Sequence, residues 1–80
     1  MSDIQINLIC CTQVICNEIE QGLRQMDIAQ TYALAIKSEA QGADNPDWPT
    51  INKAIVARWS MSGLERIKAR AYSILRRAGR

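Results

Sequence analysis

The chain contains no histidine. That removes the side chain that most often acts as general acid, general base or activator of a nucleophile near neutral pH. It also removes the imidazole ligands of most zinc sites. Phenylalanine is absent too. Only Tyr32, Trp48, Trp59 and Tyr72 carry rings, so each reads as a packing anchor. Cysteine is confined to Cys10, Cys11 and Cys16, an odd number crowded into one short segment. A vicinal pair makes a poor disulfide framework, and no second pair exists to build a metal site. The three are expected to be small apolar fillers in a reducing compartment.

Other absences narrow the field further. No run approaches the roughly 20 apolar residues that cross a bilayer. The apolar stretch 4–16 is interrupted by Gln5, Asn7, Thr12 and Gln13, and no basic leader precedes it. The expectation is a soluble, cytoplasmic protein with no membrane partner. There is no Gly-rich phosphate loop, no internal repeat and no low-complexity segment. Asp44 and Asp47 are close together, but their segment lacks the glycine and terminal glutamate of a calcium loop. Glu18 and Glu20, two residues apart, do not face one another on a helix. No base lies near the cysteines in sequence to activate them. The sequence therefore predicts a non-enzymatic protein with no cofactor and no metal.

What is present suits a small folded unit. Eighty residues, 48% hydrophobic and 22% charged, are expected to form one helical domain over 1–80. A chain this short buries only about 60% of the surface it exposes when unfolded, so its core is marginal. Over residues 3–21, Ile4, Leu8, Cys11, Ile15 and Ile19 recur at helical spacing, with Ser2 or Asp3 as cap and Gly22 as stop. A strand competes there, because Ile4, Ile6 and Leu8 alternate with Gln5 and Asn7. If the segment is a helix, Ile6, Ile9, Cys10 and Cys16 lie off its main stripe, and residues 4–16 offer a possible homodimer seam. A second helix is expected over 27–41, capped by Asp27 with Gln30, carrying the stripe Ile28, Tyr32, Ala35, Ile36 and Ala40 and stopped by Gly42. Residues 43–49, with two prolines, read as a loop whose Trp48 folds back as a lid. A third helix is expected over 50–59, capped by Thr50 or Asp47, burying Ile51, Ala54, Ile55 and Trp59. After a break at Ser60–Gly63, a fourth runs to about Ala78 with the stripe Leu64, Ile67, Ala71, Ile74, Leu75 and Ala78. The fold class is all-α, a compact bundle or orthogonal array of about four short helices.

The charge is divided along the chain. Residues 1–50 carry seven carboxylates against Arg24 and Lys37, a net of −5; residues 51–80 carry eight cations against Glu65 alone, a net of +7. A basic half is the footprint of a surface that meets an anionic partner. At 100° per residue, Arg66, Arg70 and Arg77 fall within about 40° of one another, opposite Leu64, Ala71 and Leu75. A row of guanidinium groups on a rigid helix matches the spacing of backbone phosphates, and Ser73 beside it can donate a hydrogen bond. The candidate nucleic-acid or partner-binding residues are Arg66, Lys68, Arg70 and Arg77, with Arg58 and Lys53 at the border. The same arginines also suit an ordinary solvated helix end facing the negative pole of its dipole. The short break between the last two helices allows a helix-turn-helix with Ser62, Glu65 and Arg66 leading the recognition helix, or a plain αα-hairpin.

Residues 31–72 carry a recurring pattern: Thr31-Tyr32-Ala33, Asp47-Trp48, Ile51-Asn52 with Ala54-Ile55, Arg58-Trp59-Ser60, and Gly63-Leu64 with Ile67-Lys68 and Ala71. In this it resembles small uncharacterised helical proteins encoded by bacteriophages and prophages. The resemblance covers about half the chain, leaves residues 1–26 outside, implies an origin in a mobile element and carries over no functional residues. The leading expectation is a non-enzymatic protein binding nucleic acid or a nucleoprotein complex through its basic C-terminal face. The rival is a protein-binding inhibitor or adaptor of a host defence or replication machine, of the anti-CRISPR kind, with Glu18, Glu20, Asp44 and Asp47 mimicking phosphates.

Overall fold

The computed structural model describes residues 11–78. They form three helices: α1 (Cys11–Glu20), α2 (Gln25–Ala40) and α3 (Trp48–Ala78). No strand occurs among the described residues, and 11–20 is helical, so the strand reading fails over that part of the first segment. Residues 3–10, with Ile6, Ile9 and Cys10 of the dimer seam, lie outside the described residues.

Each helix buries the face its sequence marks. Ile15 and Ile19 come from α1, and Ile28, Ala29, Tyr32, Ala33 and Ala35 from α2. Ile51, Ile55, Leu64, Ile67 and Ala71 come from α3, and together these residues make one core. Cys11, Trp48, Trp59, Ile74 and Leu75 pack around it, partly buried. Ala40 and Ala78, expected at the ends of two stripes, are exposed, each as the last residue of its helix.

The helix ends show how the chain turns. At Gly42, with φ of 75°, the N–H of Ala43 donates to the Ser38 carbonyl and that of Gly42 to the Glu39 carbonyl. This paired closure satisfies the orphan carbonyls of α2 and needs a residue free of a Cβ in the left-handed region. The same closure ends α1 at Gly22, through Leu23 to Glu18 and Gly22 to Ile19. The expected Asp27 cap is not used. α2 starts two residues earlier, after extended Arg24, whose side chain makes no capping bond; Asp27 lies within the first turn and pairs loosely with Arg24 at 3.9 Å. Asp47 is the cap of α3: its carboxylate accepts from the Thr50 N–H at 3.2 Å and the Thr50 hydroxyl at 2.8 Å. The helix therefore begins at Trp48, two residues before the expected start, and Pro49 falls in the first turn, where its missing N–H costs nothing.

The expected third and fourth helices are one element, so the described chain holds three helices and not four. The break expected at Ser60–Gly63 is a single residue wide: Ser60, with φ of 69° and ψ of −178°. That conformation belongs almost wholly to glycine and costs an L-residue about 1–3 kcal/mol. Helical geometry resumes at once, which leaves no room for the three- or four-residue turn of a helix-turn-helix. It divides α3 into an N-terminal arm, 48–59, and a C-terminal arm, 61–78. Gly63 is buried against the kink, and a Cβ placed there would overlap the Cβ of Trp59.

Two substitutions test the kink in opposite directions. Ser60→Gly relieves the left-handed strain and is expected to raise stability by about 1 kcal/mol, or roughly 4–8 °C in Tm. Gly63→Ala drives a methyl into Trp59 and is expected to cost about 1–3 kcal/mol. Thermal melts followed by circular dichroism measure both; a neutral Gly63→Ala would mean that Trp59 moves freely away.

Candidate functional site

The C-terminal arm of α3 packs on α2, and their contact leaves a seam on each flank. One flank is basic. A groove of about 460 Å³ is lined by Gln25 and Met26 of α2 and by Arg66, Ala69, Arg70 and Ser73 of α3. A smaller hollow of about 170 Å³ shares Met26, Arg70 and Ser73 with it and adds Gln30, Ile74 and Arg77. The two are halves of one channel. Arg66, Arg70 and Arg77 thus meet on one surface, and Ser73 lies between them. None of the three arginines forms an ion pair with a carboxylate of the described residues. No carboxylate lines either half.

The other candidate cations stand elsewhere. Lys68, two residues from Arg66, points to the opposite flank of the arm and pairs with Glu65 at 3.9 Å, an exposed contact worth little. Lys53 and Arg58 belong to the N-terminal arm and line neither half of the channel. Arg58 instead lies 5.2 Å from the ring centre of Trp59. Of the six candidates, three form the basic channel. The residues that sequence reasoning missed, Gln25, Met26 and Gln30, come from the first turns of α2 and reach the site only through tertiary packing. Met26 and Gln30 stand one turn apart and outside the α2 core stripe, which is the signal that marks them.

Several carboxylates of the acidic half are engaged within the chain, by backbone N–H groups and by neighbouring side chains. Asp44 accepts the Cys11 N–H at 2.9 Å and the Asn45 N–H at 2.7 Å. Asp47 caps α3, and its own N–H donates to the Thr12 hydroxyl at 2.8 Å. Glu18 accepts from the Thr31 hydroxyl at 3.0 Å, while its second carboxylate oxygen is buried without a partner. Glu39 accepts the Trp48 indole N–H at 3.0 Å. The Cys11 N–H holds the Asp44 carboxyl below its ordinary value, against a smaller opposing effect of burial.

No protein-family model, curated protein or solved structure matches this chain. The chemistry of the channel alone carries the functional reading. No helix among the described residues is long and apolar enough to cross a membrane.

Because folding lowers the Asp44 pKa, its contribution to stability is present above the unfolded value of about 3.9 and is lost as pH falls through the folded value. Asp44→Asn is therefore expected to lower the Tm at pH 7, with the gap to wild type closing in acid. Melts at pH 7 and pH 3 measure it; a gap of equal size at both would show that the charge of Asp44 is not what holds the Cys11 N–H.

Proposed function

We propose that the protein is non-enzymatic and binds nucleic acid, alone or within a nucleoprotein complex, by holding phosphates in the basic channel between α2 and the C-terminal arm of α3. The observation that carries this reading is the lining of that channel: three arginines and a serine, without a carboxylate and without intramolecular ion pairs. Guanidinium forks make two parallel hydrogen bonds to a phosphate and remain charged at any working pH. From Arg66 to Arg77 the helix rises about 16 Å. One strand of a duplex presents roughly five phosphates over that length. Contacts of this kind position a backbone and carry no base sequence. In the mobile-element setting that the phage resemblance implies, such a protein covers or shares a nucleic-acid site. Inhibition by acidic phosphate mimicry has less support, since Asp44, Asp47 and Glu18 already accept hydrogen bonds from the chain itself.

Titration of mixed-sequence DNA and RNA at about 50 mM and 200 mM salt tests the reading. Affinity is expected to fall steeply with salt, and the Arg66→Ala, Arg70→Ala pair to flatten the logarithmic slope by about two, one for each lost phosphate contact. Absence of binding at the lower salt removes the proposal and turns the search to a protein partner.

A further inference from the structure

The opposite flank of the same helix contact is aromatic. A depression of about 260 Å³ there is lined by Tyr32, Glu39, Trp48, Asn52, Lys68 and Tyr72, so three of the four aromatic residues of the chain meet in one place. Only Tyr32 of the three belongs to the core. Tyr32 is the floor, 4% exposed, but Trp48 is only partly buried and Tyr72 is 50% exposed. The ring centres of Tyr32 and Trp48 are 4.9 Å apart, tilted by 47°. The volume is below the roughly 300–1,000 Å³ of sites for drug-sized ligands, a scale that suits one planar ring system.

The polar groups of the depression are held in fixed directions. The Tyr32 hydroxyl donates to Asn52 Oδ1 at 2.9 Å, which leaves the Asn52 amide NH₂ as a donor. Burial, the largest effect, pushes the Tyr32 hydroxyl up to about 12, so it stays protonated and keeps that bond at any ordinary pH. The Trp48 indole N–H donates to Glu39 Oε1, which leaves Glu39 Oε2 as an acceptor. Along the helix, Lys68 and Arg76 stand one turn on either side of Tyr72 and bring two cations to the same flank.

We propose that this depression takes an unstacked guanine base of a single-stranded nucleic acid. The inference rests on the nucleic-acid reading above and deepens it. Single strands are held by aromatic faces on which bases stack, combined with cations that follow the backbone. Tyr72 and Trp48 supply the faces, and Lys68 and Arg76 the cations. Guanine is favoured among the bases because its N1–H and N2–H₂ donate side by side to a carboxylate, where Glu39 has Oε2 open and a second lone pair on Oε1 beside the Trp48 N–H, while its O6 accepts from an amide, as Asn52 provides. Uracil has no amino group to offer the carboxylate.

Fluorescence anisotropy of a labelled oligo-U strand with one central guanine, compared with the all-U strand and with free GMP at low salt, tests this. The guanine strand is expected to bind on the order of 10-fold more tightly than all-U and to quench tryptophan emission. Tyr72→Ala should weaken the guanine strand by about 10-fold or more. Glu39→Gln, which keeps an acceptor for Trp48, should abolish the preference over U. Circular dichroism melts confirm that both variants fold. Equal affinity for the two strands, unchanged in Tyr72→Ala, overturns the base pocket while salt-sensitive binding keeps the channel reading intact. No salt-sensitive binding to either strand overturns the parent reading and the pocket with it. GMP binding as tightly as the strand overturns the single-strand source, and the depression is then a mononucleotide site.

Discussion

The close approach of α2 to the C-terminal arm of α3 sets everything else. Ala29 and Ala33 on one side and Ala71 on the other are buried with almost no exposed surface. The distance between packed helices follows the size of the side chains at their contact, so alanines draw the two backbones together. Ile28, Leu64 and Ile67 then close the core around them. The two packed helices leave a furrow on each flank, and each furrow collects what the outer rows of residues carry. One row supplies Arg66, Arg70 and Arg77; the other supplies Lys68 and Tyr72.

That arrangement explains which parts of the molecule could be read in the letters alone. A helix stripe is a local pattern, and Ile15, Ile19, Ile28, Tyr32, Ile51, Ile55, Leu64, Ile67 and Ala71 all lie buried where their spacing puts them. The arginine row was legible for the same reason, since one rigid helix fixes the angle between its own residues. Helix starts were less legible. Arg24 has no capping side chain, so nothing local marks the start of α2, while Asp47 outcompetes Thr50 because it reaches the Thr50 N–H and hydroxyl together. Least legible was anything assembled from separate elements. Tyr32, Trp48 and Tyr72 are sixteen and twenty-four residues apart, and only tertiary packing gathers them. The break expected at Ser60–Gly63 falls at residue 60, but its conformation was not legible: serine gives no hint of positive φ, a role that sequence reading assigns to glycine.

The lengthwise division of charge takes on a physical sense in the folded chain. Asp44 and Asp47 bind backbone N–H groups and so stabilise helix starts, a use for which a carboxylate is well suited. They are therefore not set against the arginines of α3, whose charge stays available at the surface. Had the acidic half packed its carboxylates along the channel, the two halves would have neutralised one another and left a surface with no preference for anions. Segregation leaves Arg66, Arg70 and Arg77 on one surface with no carboxylate beside them.

The segment between α2 and α3 has the composition of a soft connector: proline, glycine and small polar residues, most of them exposed, although Pro46 is buried. Yet Asp44 reaches back to Cys11, and Asp47 to Thr12, across more than thirty residues of chain. The connector thus works as a clasp on the start of α1. A protease needs several residues of pliable backbone to draw into its cleft, and here that slack is taken up at two points three residues apart. Limited digestion would begin elsewhere, and the interval that looks weakest by composition would be among the last to yield.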